Sequence, residues 1–372
     1  MQGIRVDSCR LRSRLASAWC ASFVVASCWT SSCRAPVGDP RAEESVAAAV
    51  GSAEPVASRS GAMPLEEPAF AGETLTLPEV LRRAWSGSAE LQVALSQVRS
   101  AWADASRARQ LPNPLLDVSW RWALDGGASV SEAGLPLDLG AFLARPRGEL
   151  VADERLRASV LHAIETALDV SFGARAAWAE ARAFDRRVER LAVQRTLLRG
   201  WADTAEARLR SGEGSRLDVL SFEARVRELD LAIDEARSRR RATRFALAAW
   251  MGSPSSACEW NLVDDATAHD AREVTVDEDA AVGLALERSP ELAALRHEIA
   301  ALEHEARAVG LFEREPSAVG LVAEHERDLS IGPAVQVPLP IFDDGSARRA
   351  RLEADLSAAR HRWTVHARAR IT

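Results

Sequence analysis

The sequence predicts a mainly α-helical protein with a small β part: long antiparallel helical hairpins and four β-strands per chain. Three observations predict it. Apolar residues recur at helical spacing over stretches much longer than a compact core accommodates. Two short regions switch to an alternating period, and the order of these segments repeats at an offset of 201 residues.

The 372-residue chain carries 47 basic and 54 acidic residues, a formal net charge of −7 that argues against a general nucleic-acid binder. A hydrophobic share of 47% with 27% charged residues is that of an ordinary folded protein, so wholesale disorder is excluded, and the length permits two or three domains. Every basic residue is Arg and there is no Tyr, a skew that reads as coding bias and carries no mechanism.

The chain opens like a secretory signal. Arg5, Arg10, Arg12 and Arg14 precede an apolar stretch at 15–26. At about 12 residues this stretch is too short to span a bilayer, which takes ~20. It closes on Val25-Ala26-Ser27-Cys28, similar to a bacterial lipobox, which predicts a signal peptide over 1–27 and lipidation of Cys28. Cys20, after the bulky Trp19, fits less well. Four of the five cysteines, Cys9, Cys20, Cys28 and Cys33, lie within the first 33 residues, which excludes a disulfide scaffold. Residues 28–75, rich in Ala, Ser, Glu and Pro without an apolar period, read as a lipid-anchored disordered linker.

The first repeat occupies 76–257. Thr76 with Glu79 forms a capping box, and helical spacing then runs to Gln110, where Leu111-Pro112-Asn113-Pro114 ends it. A β-hairpin follows over 115–140. Val118, Trp120, Trp122 and Leu124 alternate with Asp117, Ser119 and Arg121, and Leu135, Leu137 and Leu139 alternate on the way back. A long helical hairpin covers 148–251: one pattern runs without Pro to Arg210, roughly 63 residues or ~95 Å. Ser211-Gly212-Glu213-Gly214-Ser215 breaks it, and Ser215 with Asp218 starts the return helix.

After an inter-repeat linker at 258–276, the second repeat spans 277–372. Ser88-Ala89-Glu90-Leu91 returns as Ser289-Pro290-Glu291-Leu292. Leu91, Ala94, Val98, Ala101 and Ala105 return as Leu292, Leu295, Ile299, Leu302 and Ala306, a heptad seam. Pro136-Leu137 returns as Pro338-Leu339, and Arg147 as Arg349. A second β-hairpin lies over 317–341, with Val335, Val337 and Leu339 alternating. Four strands with two open edges are marginal alone and make better sense in a barrel closed by several chains, the apolar face to lipid and the polar face to a lumen.

These residues together resemble the TolC-like outer-membrane efflux proteins over about 77–372. The resemblance rests on Leu75-Thr76-Leu77-Pro78-Glu79-Val80-Leu81, on Ser88 to Leu91 where the family has Asn-Pro-Glu-Leu, on Leu111-Pro112-Asn113-Pro114, and on Val337-Pro338-Leu339-Pro340-Ile341-Phe342-Asp343. The turn containing Arg208, Leu209, Gly212, Ser215, Leu217, Asp218 and Val219 looks like the family's adaptor-docking tip.

The resemblance implies a homotrimer giving four strands per chain to a transmembrane barrel, continued as a periplasmic helical tunnel. It implies an outer-membrane conduit of a tripartite efflux or type I secretion system that exports small toxic compounds or metal ions. Its partners would be a periplasmic adaptor, an inner-membrane pump and outer-membrane lipid. It implies no catalysis and no cofactor. Val118, Trp120, Trp122, Leu124, Leu135, Leu137, Val335, Val337 and Leu339 would face lipid, and Asp117, Arg121, Glu132 and Glu324 the lumen, where charge and diameter set selectivity.

One departure stands out. Thr372 aligns with Ser171, so about 251 − 171 = 80 residues of the first repeat have no counterpart in the second. This keeps open a soluble or lipid-anchored periplasmic coiled-coil scaffold or adaptor, or a non-functional truncated paralogue. No catalytic motif is complete: His297-Glu298 starts like a metalloprotease helix, but Ala301 stands where the second histidine belongs.

Overall fold

The computed structural model describes residues 40–59, 61, 72–122, 124, 129–253, 260–263, 277–308, 317–326, 328–337 and 345–371. The signal region, Cys28 and Leu339 lie outside them. In chain order the elements are α1 (Pro40–Val50), β1 (Thr74–Leu75), α2 (Leu77–Gly87), α3 (Ala89–Ala108), β2 (Asp117–Arg121), β3 (Val130–Asp138), α4 (Leu139–Arg210) and α5 (Arg216–Trp250). Then come β4 (Asn261–Leu262), α6 (Glu278–Arg288), α7 (Pro290–Ala308), β5 (Ala318–His325), β6 (Leu329–Gln336) and α8 (Ser346–Ala369).

α4 is the axis of the helical part. Its 72 residues extend ~108 Å at 1.5 Å per residue. Ala163, Ala167, Val170, Ala174, Ala177 and Ala181 recur at steps of four and three and are all buried. Such small side chains let neighbouring helices approach closely, and large partners fill the space: Val80, Leu81 and Trp85 from α2, Leu91, Leu95 and Val98 from α3, and Leu247 from α5. Gly173 continues the logic, since a Cβ there would lie 2.4 Å from the Trp250 ring. The buried Trp85 indole N–H donates to Ser171 Oγ at 2.8 Å, so the one polar atom of this aromatic is satisfied.

Several expectations need correction. The helix predicted to run from Leu77 to Gln110 is two helices, because Ser88 turns extended and its hydroxyl accepts the Leu91 N–H as the cap of α3. Ser289 likewise separates α6 from α7, accepting the Leu292 N–H at 3.4 Å. The apolar period continues across each break, which is why spacing alone joins the two helices. No capping box forms at Thr76: its hydroxyl makes no cap bond, and Glu79 is drawn instead to Arg82 and Arg83. α4 begins nine residues before Gly148, since Asp138 accepts the Ala141 N–H at 2.9 Å and starts the helix ahead of Pro146. The exposed proline removes one backbone donor without ending it.

The segment 28–75 is not a featureless linker throughout. Within it α1 buries Ala42, Val46, Ala47 and Val50 against α4, a one-sided stripe that composition averages away. The following residues are strapped to α3: Arg59 N–H donates to Gln92 Oε1 at 2.8 Å, and Gln92 Nε2 returns a bond to Ala57 O. The supporting surface comes from elsewhere in the chain, which an isolated-segment argument does not count. The 258–276 linker likewise contains β4, which pairs in parallel with β1 through Thr74–Asn261 and Leu75–Leu262.

A buried ion cluster fixes that pairing to the long hairpin. Asp185 on α4 accepts from Arg244 at 2.9 Å and from Arg240 at 2.6 Å, both on α5. Arg244 also donates to Trp260 O at 3.0 Å and lies 4.9 Å from the centre of the Trp260 ring. Burial alone would raise the Asp185 carboxyl, but hydrogen bonds from the two guanidiniums outweigh it and hold it below its ordinary value.

Replacing Arg244 by Met leaves a buried carboxylate with only Arg240. We expect a loss of about 3 kcal/mol, near the low end for breaking a buried pair, read as a lower urea midpoint. The double change D185L/R244M should recover most of it; an R244M midpoint equal to the parent would refute the clamp. The group's depressed value makes its contribution present above the unfolded carboxylate range and lost as pH falls through the folded value.

Candidate functional site

The second sheet is antiparallel in the order β2-β3-β5-β6. Its register sorts side chains without ambiguity. Val118 pairs with Ala133, and Leu135 and Leu137 pair with Leu321 and Val319. Val319 and Ala323 then pair with Val335 and Ile331. Because side chains alternate along a strand, these residues share one face with Trp120, and that face is apolar across all four strands except at one rim, where Ser131 and His325 stand beside Trp120. It is also uncovered: Trp120 is 58% exposed, Leu321 63% and Val335 68%. Trp122, Leu124 and Val337, just beyond the strand ends, are exposed too. The Trp120 and Trp122 rings lie 6.3 Å apart.

The opposite face holds Asp117, Ser119, Arg121, Glu132 and Glu324, all four predicted lumen residues among them. Between them stand Gly134, Gly320, Gly332 and Ala334, with Val322 between Gly134 and Gly332 and Pro136 opposite Gly320 as the larger groups at the centre of this face. A Cβ at Gly320 would sit 2.4 Å from Leu135 O. A shallow depression of about 180 Å³ runs between Asp117, Ser119, Glu132 and Gln336. Glu132 receives Arg121 at 3.1 Å and the Ser119 hydroxyl at 3.4 Å, and stands directly opposite Glu324. β2 and β6 are the edges, with no strand pairing on their outer sides among the described residues. An exposed apolar face with two open edges is an association hazard in water; in lipid, with its edges joined to other copies, it is a satisfied barrel segment.

The turn between α4 and α5 is a Schellman motif. Glu213 N–H donates to Arg208 O at 2.9 Å and Gly212 N–H to Leu209 O at 3.1 Å, with Gly212 at φ +83. α5 restarts where Ser215 Oγ accepts the Leu217 N–H; Asp218 gives its own N–H to Ser215 O. Leu209 and Leu217 are exposed while Val219 is half-buried. Residue spacing did not single out Trp201 and Phe222, whose rings meet edge to face at 6.3 Å behind this turn. They line a hollow of about 290 Å³ with Arg208, Glu213, Gly214 and Asp218. Their aromatic character within the helical pattern was the available signal.

His297, which opens the incomplete metalloprotease pattern, and His162 both pair with carboxylates. His297 Nδ1 lies 2.6 Å from Glu154, and His162 Nε2 lies 3.0 Å from Glu298, each joining α4 to α7. Arg155–Glu305 reinforces this contact, and Arg360–Glu303 with Arg370–Glu291 ties α7 to α8. Hydrogen bonding to Glu298 raises the His162 imidazolium against the effect of burial, and the same bond lowers Glu298. Burial raises Glu165 beside them. Among the described residues no three His, Cys, Asp or Glu side chains converge as a metal site, and no helix is long and apolar enough to cross a membrane.

No protein-family model and no curated protein matches the chain. Solved structures do. The outer-membrane channel OprN superposes with a TM-score of 0.56 at 17% identity, covering 84% of this chain and 79% of that one. The outer-membrane protein VceC from Vibrio cholerae gives 0.52 at 19%, covering 79% and 74%. The Campylobacter jejuni CmeC outer-membrane channel gives 0.51 at 12%, covering 83% and 76%. The chain thus has the TolC-like fold, helical with a small antiparallel sheet, that these channels share.

The His162–Glu298 pair sets a pH dependence. With the imidazolium raised, its contribution is complete below about pH 6.5 and lost as pH rises through the folded value. The lowered Glu298 contributes above the ordinary carboxylate range and loses this as pH falls through its folded value. Thermal melts between about pH 5 and about pH 8 should show the parent losing more stability than H162Q toward the alkaline end. Parallel curves would dismiss the pair.

Proposed function

We propose that the chain is a subunit of a passive outer-membrane efflux conduit. The observation that carries this reading is the sheet: apolar and exposed across one face, polar and glycine-rich across the other, open at both edges, on the fold of outer-membrane channels. Three copies would contribute four strands each to a closed barrel, which removes every edge. Val118, Trp120, Trp122, Leu135, Leu137, Val335 and Val337 then face lipid, and Asp117, Arg121, Glu132 and Glu324 face the pore.

The conduit carries out no chemistry and takes no cofactor. Small compounds or metal ions pass down the helical part and through the barrel, driven by an inner-membrane pump that reaches the channel through a periplasmic adaptor. The glycine turn bearing Arg208, Leu209, Gly212, Ser215, Leu217, Asp218 and Val219 suits such docking: it offers exposed leucines on a backbone fixed by two hydrogen bonds. Acylation of Cys28 would tether the N-terminus to the same membrane. Throughput is governed by pore charge, with three carboxylates against one guanidinium per chain among the four named residues.

Two substitutions on opposite faces separate this reading from a soluble scaffold. Leu137→Arg puts a charge on the lipid side, where it costs about 2–4 kcal/mol near the bilayer midplane and less toward the interface, and should abolish insertion into vesicles. Glu132→Gln should insert normally and lower the cation-to-anion permeability ratio in planar bilayers. Equal insertion of L137R and parent would rule the membrane sheet out. Separately, C28S should lose metabolic labelling by palmitate in cells; retained label would remove the anchor from the proposal.

A further inference from the structure

Apart from the β3–β5 pairing, the second half of the chain docks on the first mainly where α7 lies on α4. The two helices run antiparallel there. Glu298 of α7 meets His162 of α4 at 3.0 Å, and Glu305, seven residues on, meets Arg155, seven residues back. His297, the neighbour of Glu298, reaches Glu154 at 2.6 Å, so each helix lends an imidazole to a carboxylate of the other. Apolar packing is thin at this level: Leu292 and Leu295 are buried in the first turns of α7, but beyond Arg296 Ala301 is the one buried residue of α7 among those described. An open cleft of about 630 Å³ runs alongside, lined by Ser100 and Asp104 of α3, Ser159 and His162 of α4, and Glu298, so water and protons reach the pairs.

His162 is the titrating group at the centre. Its other ring nitrogen stands 3.5 Å from Glu165 on its own helix, and the guanidinium that approaches Glu298 is Arg362 of α8, at 3.9 Å. Two carboxylates against one guanidinium leave this cluster neutral only when the imidazole is protonated. The remaining neighbours add negative charge: Glu291 and Asp169 act on Glu165, and Asp104 lines the cleft from α3. Nearby arginines are committed elsewhere, Arg155 to Glu305, Arg157 to Glu154 and Arg109 to Asp153. α1 and α2 meet α4 through apolar side chains, with Glu43 held by Ser58 and Glu79 by Arg82 and Arg83. The hydrogen bond to Glu298 holds the His162 imidazolium above its ordinary value against burial. Its stabilisation is therefore full below the unfolded imidazole range and lost as pH rises through the folded value. Glu298, held low by the same bond, keeps its charge over that window. α8 is bound to α7 by Arg360–Glu303 at 2.8 Å, by Arg370 at 3.0 Å from Glu291, which His366 also meets, and by Arg296 at 6.0 Å from the centre of the Trp363 ring.

We propose that the α4–α7 seam is a proton-operated latch between the two halves of the chain: protonated His162 clamps α7 on α4, and loss of that proton lets α7 and α8 part from α4 together. The latch lies about 35 Å along α4 from the end of the sheet and rests on no membrane placement. In a conduit the same parting would loosen the helical wall as pH rises. A partly exposed pair of this kind shifts an opening equilibrium by up to about fivefold.

The test is hydrogen–deuterium exchange with mass spectrometry on the full chain in a nonionic detergent, at about pH 6 and about pH 8, with rates corrected for the intrinsic pH dependence of exchange. Peptides from α5 serve as the internal reference. In the parent, protection of α7 and α8 should fall together by about fivefold toward the higher pH while that of α5 holds. H162Q should show the lower protection already at the lower pH and little further change, and E298Q should flatten the dependence in the same way. H162K, charged at both values, should keep α7 protected at both. Equal protection of α7 at the two values in the parent, or an undiminished drop in H162Q and E298Q, overturns the latch. A drop confined to α8 overturns it too, since that assigns the effect to the His366 contact. If H162Q loses protection in α5 as well, it reports general unfolding, and E298Q with H162K decides.

Discussion

Everything in the helical part depends on the close approach that α4 permits along its small-residue stripe. Alanine at 163, 167, 174, 177 and 181, with Val170 between, gives α4 a flank narrow enough for α1, α2, α3 and α5 to pack against one segment. Large side chains at that segment would separate the neighbours and lose dispersion contacts over several turns at once. Gly173 under the Trp250 ring is the sharpest instance, because its substitution meets an aromatic plane and no flexible chain end. The hairpin beyond has fewer such contacts and is held by its turn and by Asp185 with its two arginines.

The sheet obeys a different constraint. It buries little of either face within its own chain, so its stability has to come from what surrounds it. Hydrogen bonding sets the register, and the register sorts chemistry: a shift of one residue between β3 and β5 would put Glu132 and Glu324 among the leucines. Three glycines and an alanine around Val322 keep the polar face shallowly hollow, and the charged groups then shape the field across the depression. At one end of the sheet β3 runs directly into α4, so strand and helix share one continuous backbone there.

Much of this was legible in the sequence. The alternation of Val118, Trp120 and Trp122 with Asp117, Ser119 and Arg121 needs only the two-residue period of a strand, and the turn at Gly212 needs only a residue tolerant of positive φ. Other features were not legible, for particular reasons. Ser88 interrupts the backbone but not the apolar period, so two helices look like one. α1 and the strap after it lack an autonomous fold and are ordered by α3 and α4. Glu79 had two competing uses, and which one prevailed depended on where Arg82 and Arg83 point.

What the sequence determined by itself was local: which segments are helix or strand, which side chains share a face, where the chain reverses. These follow from periodicity and backbone sterics, which act over a few residues. Only the tertiary structure decided the long-range pairings. Asp185 meets Arg244 across 59 residues, His162 meets Glu298 across 136, and Thr74 meets Asn261. No local rule selects those partners among the chain's many carboxylates and arginines. They are chosen when the helices dock, because shape complementarity along α4 brings one set of side chains within reach and leaves the others in solvent.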